Sequence, residues 1–257
     1  MSLYGGIGLD ADARRESWRW AALALASLAL AGLFALLLAL SRAPVVQDIV
    51  PWPLEFFRKA LVVHVVFAFV VWFLAVFAAL CHLAAVQAAG GRPRLNALGP
   101  LAVCCCAAAC LLLLVPGLMD RGQPTLNNYV PVIIDPLYYA GLAVLAAGLG
   151  LSVVRLFANL DAAALRQPLA AGMATGGLLF AAAALCALLA WRELAGRTPD
   201  HAFNEDLFWG AGHVLQFLNA VLLVTAWQLL STQALGRPAL RRTARGATPA
   251  GRAPAST

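Results

Sequence analysis

Residues 60–86 read ALVVHVVFAFVVWFLAVFAALCHLAAV, twenty-seven residues with no Asp, Glu, Lys or Arg among them. Only His64 and His82 interrupt the apolar run with ionisable rings. About 18–20 apolar residues suffice for a helix to cross a bilayer, so this stretch is read as a membrane span. The backbone in lipid must satisfy its own hydrogen bonds, which makes the span a helix.

Working outward, five more stretches meet the same test. The six spans are placed at Trp18–Leu40, Ala60–Val86, Leu98–Met119, Leu137–Phe157, Pro168–Trp191 and Leu207–Gln233. The whole chain of 257 residues is 62% hydrophobic and 12% charged, with mean hydropathy +0.82. A soluble domain is nearer half apolar and a quarter charged. That balance excludes an ordinary cytosolic enzyme, a disordered chain and a soluble nucleic-acid binder. The fold class expected is all-α, a polytopic bundle of six membrane-spanning helices. Residues 1–17 form a cytoplasmic N-terminal segment, 18–235 the bundle, and 236–257 a disordered basic tail. The first apolar run is too long for the ~7–15-residue core of a signal peptide and is read as a retained anchor.

Charge sets the orientation. Twelve of the eighteen Arg and Lys residues fall on the side that holds both termini, and six on the other. The excess places both termini in the cytoplasm of a bacterial plasma membrane. The six cysteines lie in apolar runs without a CxxC spacing and are read as small buried hydrophobes.

Local signals mark some boundaries. Pro116-Gly117 is read as the end of the third helix, and Asp135-Pro136 as an N-cap followed by proline at the first helical position. Pro168 opens the fifth helix. Gly172 and Gly176 are spaced for close approach of a neighbour.

Ionisable groups inside a membrane are functional candidates. His201 falls in the loop between the fifth and sixth spans. His64 is about four residues into the second span and His213 about six residues into the sixth, which puts both at roughly 6–10 Å depth from one surface. Two imidazoles in one layer of a bundle could hold a haem or a metal, or could bond neighbouring helices only. His64 and His82 are eighteen residues apart, five turns, on one face. Ser231 stands eighteen residues after His213, so the sixth span offers no ligand opposite His82. At most one bis-histidine haem fits. Around His213 the chain reads Phe208-Trp209-Gly210-Ala211-Gly212-His213-Val214-Leu215-Gln216-Phe217. Gly210 and Gly212 leave room for a flat macrocycle or another helix, while Trp209 and Gln216 share the histidine's face and are candidate cofactor neighbours.

The run Phe57-Arg58-Lys59-Ala60-Leu61-Val62-Val63-His64, continuing into Val71-Trp72-Phe73-Leu74-Ala75, resembles helix II of haem–copper oxidase subunit I. The narrower likeness is to members related to the cbb3-type oxidases and nitric oxide reductases. Leu207 to Phe217 resembles helix VI, and Asn128-Tyr129-Val130-Pro131-Val132 with Asp135-Pro136-Leu137 resembles the loop between helices III and IV. The resemblance implies that His64 is an axial ligand of a b-type haem, and His213 a ligand of copper or non-haem iron. It implies a role in respiratory electron transfer to oxygen or nitric oxide, in a complex fed by cytochrome c or quinol. It covers helices I to VI, where the family has twelve or more. A partner chain among further oxidase subunits would supply the remaining ligands. Phe217 stands where many oxygen-reducing members carry tyrosine, and no glutamate lies between Phe208 and Gln216. Two other readings remain open, a single-haem cytochrome b-like carrier using His64 and His213, and a non-catalytic scaffold or assembly subunit. Partners are the lipid bilayer and other subunits, with no nucleic acid. No mid-membrane Asp, Glu, Arg or Lys marks a transport path.

Overall fold

The computed structural model of the protein describes residues 9–49 and 55–235. The basic tail expected at 236–257 lies outside the described residues, as do the first eight residues of the N-terminal segment. Among the described residues, six helices are long and apolar enough to cross a membrane. The first is α1, Ala11–Ser41, followed by a short α2, Pro44–Ile49. The second span is built in three pieces: α3, Phe56–Val65, a π-helical segment Val66–Val71, and α4, Trp72–Ala89. The others are α5, Leu98–Leu118, α6, Pro136–Asn159, α7, Pro168–Glu193, and α8, His201–Leu235.

Two helices start well before their apolar windows because a side-chain cap rather than hydropathy sets the start. Asp10 accepts from the Ala13 amide, so α1 begins at Ala11 and not at Trp18. Asp200 accepts from the Phe203 amide, so α8 begins at His201 and takes in a residue assigned to a loop. The second span begins at Phe56. The third span runs through Pro116 and Gly117 to Leu118, contrary to the reading of that pair as a terminator. A proline so close to the end forfeits one amide bond. Reversal comes later, where Asp120 takes a left-handed conformation at φ 53°. At Asp135 the expected cap is present, its carboxylate accepting from the Leu137 amide at 2.8 Å with Pro136 next in the chain.

The all-α expectation misses one element. Between α5 and α6 the chain makes a small antiparallel hairpin, β1 (Gln123–Thr125) with β2 (Val132–Ile134), Thr125 opposite Val132 and Gln123 opposite Ile134. Backbone polar groups leaving α5 are satisfied there by pairing with each other.

The second span is the centre of the bundle and the most buried, touching α1, α6 and α7. The closest helix pairs are α5 with α6 and α7 with α8. In lipid, packing and interhelical hydrogen bonds hold helices together, and small residues permit close approach. Gly172 of α7 sits against Thr225 of α8, and Gly176 against Phe77 of α4, so a side chain at either position would collide. All six cysteines are free thiols.

Candidate functional site

His64 lies on α3, one residue before Val65 and the π-helical turn. Its Nδ1 is 2.9 Å from the carbonyl oxygen of Ala31 on α1. A carbonyl only accepts, so Nδ1 carries the proton and Nε2 the lone pair. Nε2 makes no hydrogen bond among the described residues. The widened turn beside it has its own support. The Trp72 amide bonds to the carbonyl of Phe67, five residues back, and the Ser27 hydroxyl of α1 donates to that same carbonyl at 2.7 Å. Such π-turns often mark functional positions in helices.

His213 lies on α8, twelve residues after its start. Its Nδ1 donates to the carbonyl of Trp209 at 2.8 Å. Its Nε2 accepts from the Tyr129 hydroxyl, also at 2.8 Å. The imidazole is flanked by two rings, Trp209 at 4.3 Å and Tyr129 at 4.5 Å between centroids. The space left by Gly212 is taken by the Tyr129 ring and not by another helix, since a Cβ at 212 would collide with it. Gly210 instead faces Cys186 on α7. Gln216 is exposed and makes no bond to His213, and Trp209 is exposed apart from its contact with the imidazole.

The hairpin holds Tyr129 in place. Asn127 donates to the Val130 carbonyl at 2.6 Å, and Thr125 bonds both Asn127 and the Val132 carbonyl. Two residues of α8 clamp the loop from outside. Asn204, fully buried, donates to Thr125 at 3.0 Å and accepts from Tyr139 at 2.8 Å. The carboxylate of Glu205 accepts from the amide and side chain of Asn128.

The two candidate ligands have separate partners in the structure. His64 turns towards α1 and His213 towards the hairpin, and no hydrogen bond or ring contact links them among the described residues. The two requirements of a haem or metal can be tested separately. A ligating histidine typically donates its other ring N–H to a carbonyl or carboxylate, which fixes the tautomer and aims the lone pair. His64 meets this through Ala31 and keeps Nε2 free, so it fits as a single axial ligand. His213 has the same Nδ1 arrangement, but Tyr129 occupies its lone pair. No group of three or more His, Cys, Asp or Glu side chains able to hold a metal occurs among the described residues. A metal centre with three or more side-chain ligands from this chain does not fit those residues.

At the opposite end of the second span lies a cluster that hydropathy conceals. Glu16 on α1, His82 on α4 and Arg155 on α6 are all buried. Arg155 Nη1 donates to Glu16 Oε1 at 2.5 Å and Arg155 Nη2 to Asn96 Oδ1 at 2.9 Å. His82 Nδ1 lies 3.0 Å from Glu16 Oε1, and its Nε2 3.0 Å from the carbonyl of Ala13. Gly99, at the start of α5, leaves the space this pair occupies, for a Cβ there would meet Arg155 and both Glu16 oxygens. By sequence, Arg155 stands two residues from the end of the fourth span and Glu16 in the N-terminal segment. The available signal was helical phase: Glu16 and Trp20 fall one turn apart, and both are buried.

An uncharacterised protein of Aquifex aeolicus (strain VF5) is 30% identical over 214 residues, which is 82% of this chain and 52% of that protein. The chain thus spans about half the length of the curated relative it matches. No family model matches, and no solved structure matches.

Proposed function

We propose that this chain is a multi-pass subunit of a haem-dependent electron-transfer complex in a bacterial plasma membrane, of the haem–copper oxidase kind. His64 is its axial ligand to a b-type haem. The observation that carries this is the pairing of His64 Nδ1 with the Ala31 carbonyl, which leaves Nε2 unengaged. A bound haem would supply one-electron chemistry on the way to oxygen or nitric oxide. The chain's own contribution is positional. Ala31 fixes the tautomer and turn of the imidazole, and α1 and the π-turn set the level of the ring in the bundle. Any further haem ligand would come from outside these six spans, in keeping with a relative about twice as long as the shared region. Copper or non-haem iron at His213 requires Tyr129 to withdraw from Nε2 and further ligands from a partner subunit. Both termini face the cytoplasm, on the strength of the arginine excess on that side.

A second reading, a scaffold without cofactors, is favoured by one observation. His64 and His82 both bond carbonyls of α1, as latches would. His64→Gln separates the two, because an amide can still donate to Ala31 but does not serve as a haem ligand. On the haem reading, gently solubilised protein shows a reduced-minus-oxidised b-type spectrum and a pyridine haemochrome signal. Both are lost in His64→Gln and in His64→Ala, while His64→Gln stays folded. Wild-type protein without iron, with His64→Gln merely restoring the stability lost in His64→Ala, would leave only the latch.

A further inference from the structure

We propose that the groove between the second and sixth spans binds an uncharged amphiphile whose head both donates and accepts hydrogen bonds, of the alkyl-hydroquinone or monoacylglycerol kind. A cavity of about 270 Å³ opens there. One wall is apolar and comes from the π-turn and α4, through Phe69, Val70 and Leu74. The other is polar, with Asn128 and Tyr129 from the hairpin loop and Gln216 and Asn219 from α8.

The polar wall is what points to a ligand. Gln216 and Asn219 stand one turn apart on a helix long and apolar enough to cross a membrane. Neither side-chain amide makes a hydrogen bond among the described residues. Each amide offers two donors and a carbonyl acceptor, and hydrocarbon answers neither, so leaving them bare is costly. An occupant that can both give and take hydrogen bonds satisfies them.

Charge narrows the class. No charged side chain lines the cavity. The carboxylate of Glu205, bonded to the Asn128 that forms part of the rim, disfavours an anion there. A fatty acid or phosphate head would find no cation here. Size narrows it further. Just below the ~300–1,000 Å³ range of small-molecule pockets, the cavity holds a head and not a whole lipid. The tail has its own path. A second, almost wholly apolar cavity of about 110 Å³ shares Val70, Leu74, Val130 and Leu215 with the first and continues past Leu145 and Phe180 between α6 and α7.

The inference goes beyond the haem proposal and does not rest on it, so the test reads binding alone. Purified full-length chain in phosphatidylcholine nanodiscs is photolabelled with an azido decyl-benzoquinol and, separately, with a diazirine monoacylglycerol. Labelled peptides from residues 65–74 or 212–219 are expected. Gln216→Leu/Asn219→Leu should weaken labelling at least tenfold, and Leu215→Trp, which fills the groove and keeps both amides, should weaken it too. Trp227→Leu, on an exposed part of α8, should leave it unchanged. Labelling by the benzoquinol alone assigns a hydroquinone, and by the monoacylglycerol alone a neutral glycerolipid. Labelling elsewhere, equal labelling of the double variant, or failure of both probes overturns the proposal. So does a dimer crosslinked through Phe69, which would place a second copy in the groove.

Discussion

Replacing Arg155 by Met should be among the most damaging single changes in the bundle, and replacing Glu16 at the same time should recover part of the loss. The reasoning starts from burial. Arg155 is 2% exposed and Glu16 5%, so neither charge has water to fall back on. Arg155→Met strips the Glu16 carboxylate of its bond at 2.5 Å and leaves it His82 alone, while Asn96 loses its donor. Removing one member of a buried pair costs about 3–5 kcal/mol, because the other charge stays behind unpaired. Glu16→Gln leaves the guanidinium with Asn96 and should cost a similar amount. In Glu16→Gln/Arg155→Met no charge is stranded between α1 and α6, so the double variant should cost less than the two singles added, with a coupling of about 2–3 kcal/mol. The cycle can be read by SDS-induced unfolding of the purified chain in mixed micelles, followed by tryptophan fluorescence. Singles that each cost under about 1 kcal/mol, below the buried-pair range, would refute the reasoning, and so would strictly additive costs.

Tyr129→Phe should cost about 0.5–1.5 kcal/mol for one lost hydrogen bond, and the ¹⁵N resonance of His213 Nε2 should shift while Nδ1 stays bonded to Trp209. Gly212→Val should be worse than Tyr129→Phe, because it expels the Tyr129 ring and the loop with it; faster proteolysis at residues 126–131 would report that. Ser27→Ala should lose about 1 kcal/mol and raise amide exchange across Val66–Val71, where the widened turn loses its outside donor. A C-terminal fluorescent-protein fusion should be bright and a C-terminal alkaline phosphatase fusion inactive; the reverse pattern would place the arginine-rich end on the wrong side.

Much of the fold was legible because one rule dominates it. Long apolar runs in lipid have to be helices, and the six runs are six helices. Boundaries were less legible where polar residues extend a helix past its apolar window, as at Ala11 and His201. Hydropathy weighs each residue by itself, while a cap acts through a single bond to an amide two or three residues on. The hairpin was hidden for a related reason. Its strands are three residues each, too short for any period to show. The candidate site was legible only in its helical half. His213 and the neighbouring glycines could be singled out by position, but Tyr129, eighty-four residues earlier, is brought to His213 by the hairpin. Gly212 was read as making room for a macrocycle or a helix, and the fold fills that room with the Tyr129 ring of the hairpin loop.

The histidine spacing shows how far a periodic argument reaches. His64 and His82 are eighteen residues apart on the second span, a separation that suits one face and two depths. Their carbonyl partners, Ala31 and Ala13, are also eighteen residues apart on α1, running the other way. Two antiparallel helices latched at two levels impose that spacing with no cofactor present, so the interval itself does not distinguish a ligand from a latch. The second ring nitrogen does. In His82 it faces Glu16, and in His213 it accepts from Tyr129. In His64 it is unengaged among the described residues. Of the three histidines beyond the first turns of the spanning helices, His64 alone combines a fixed tautomer with an idle lone pair, and the case for a haem in this chain reduces to that one atom.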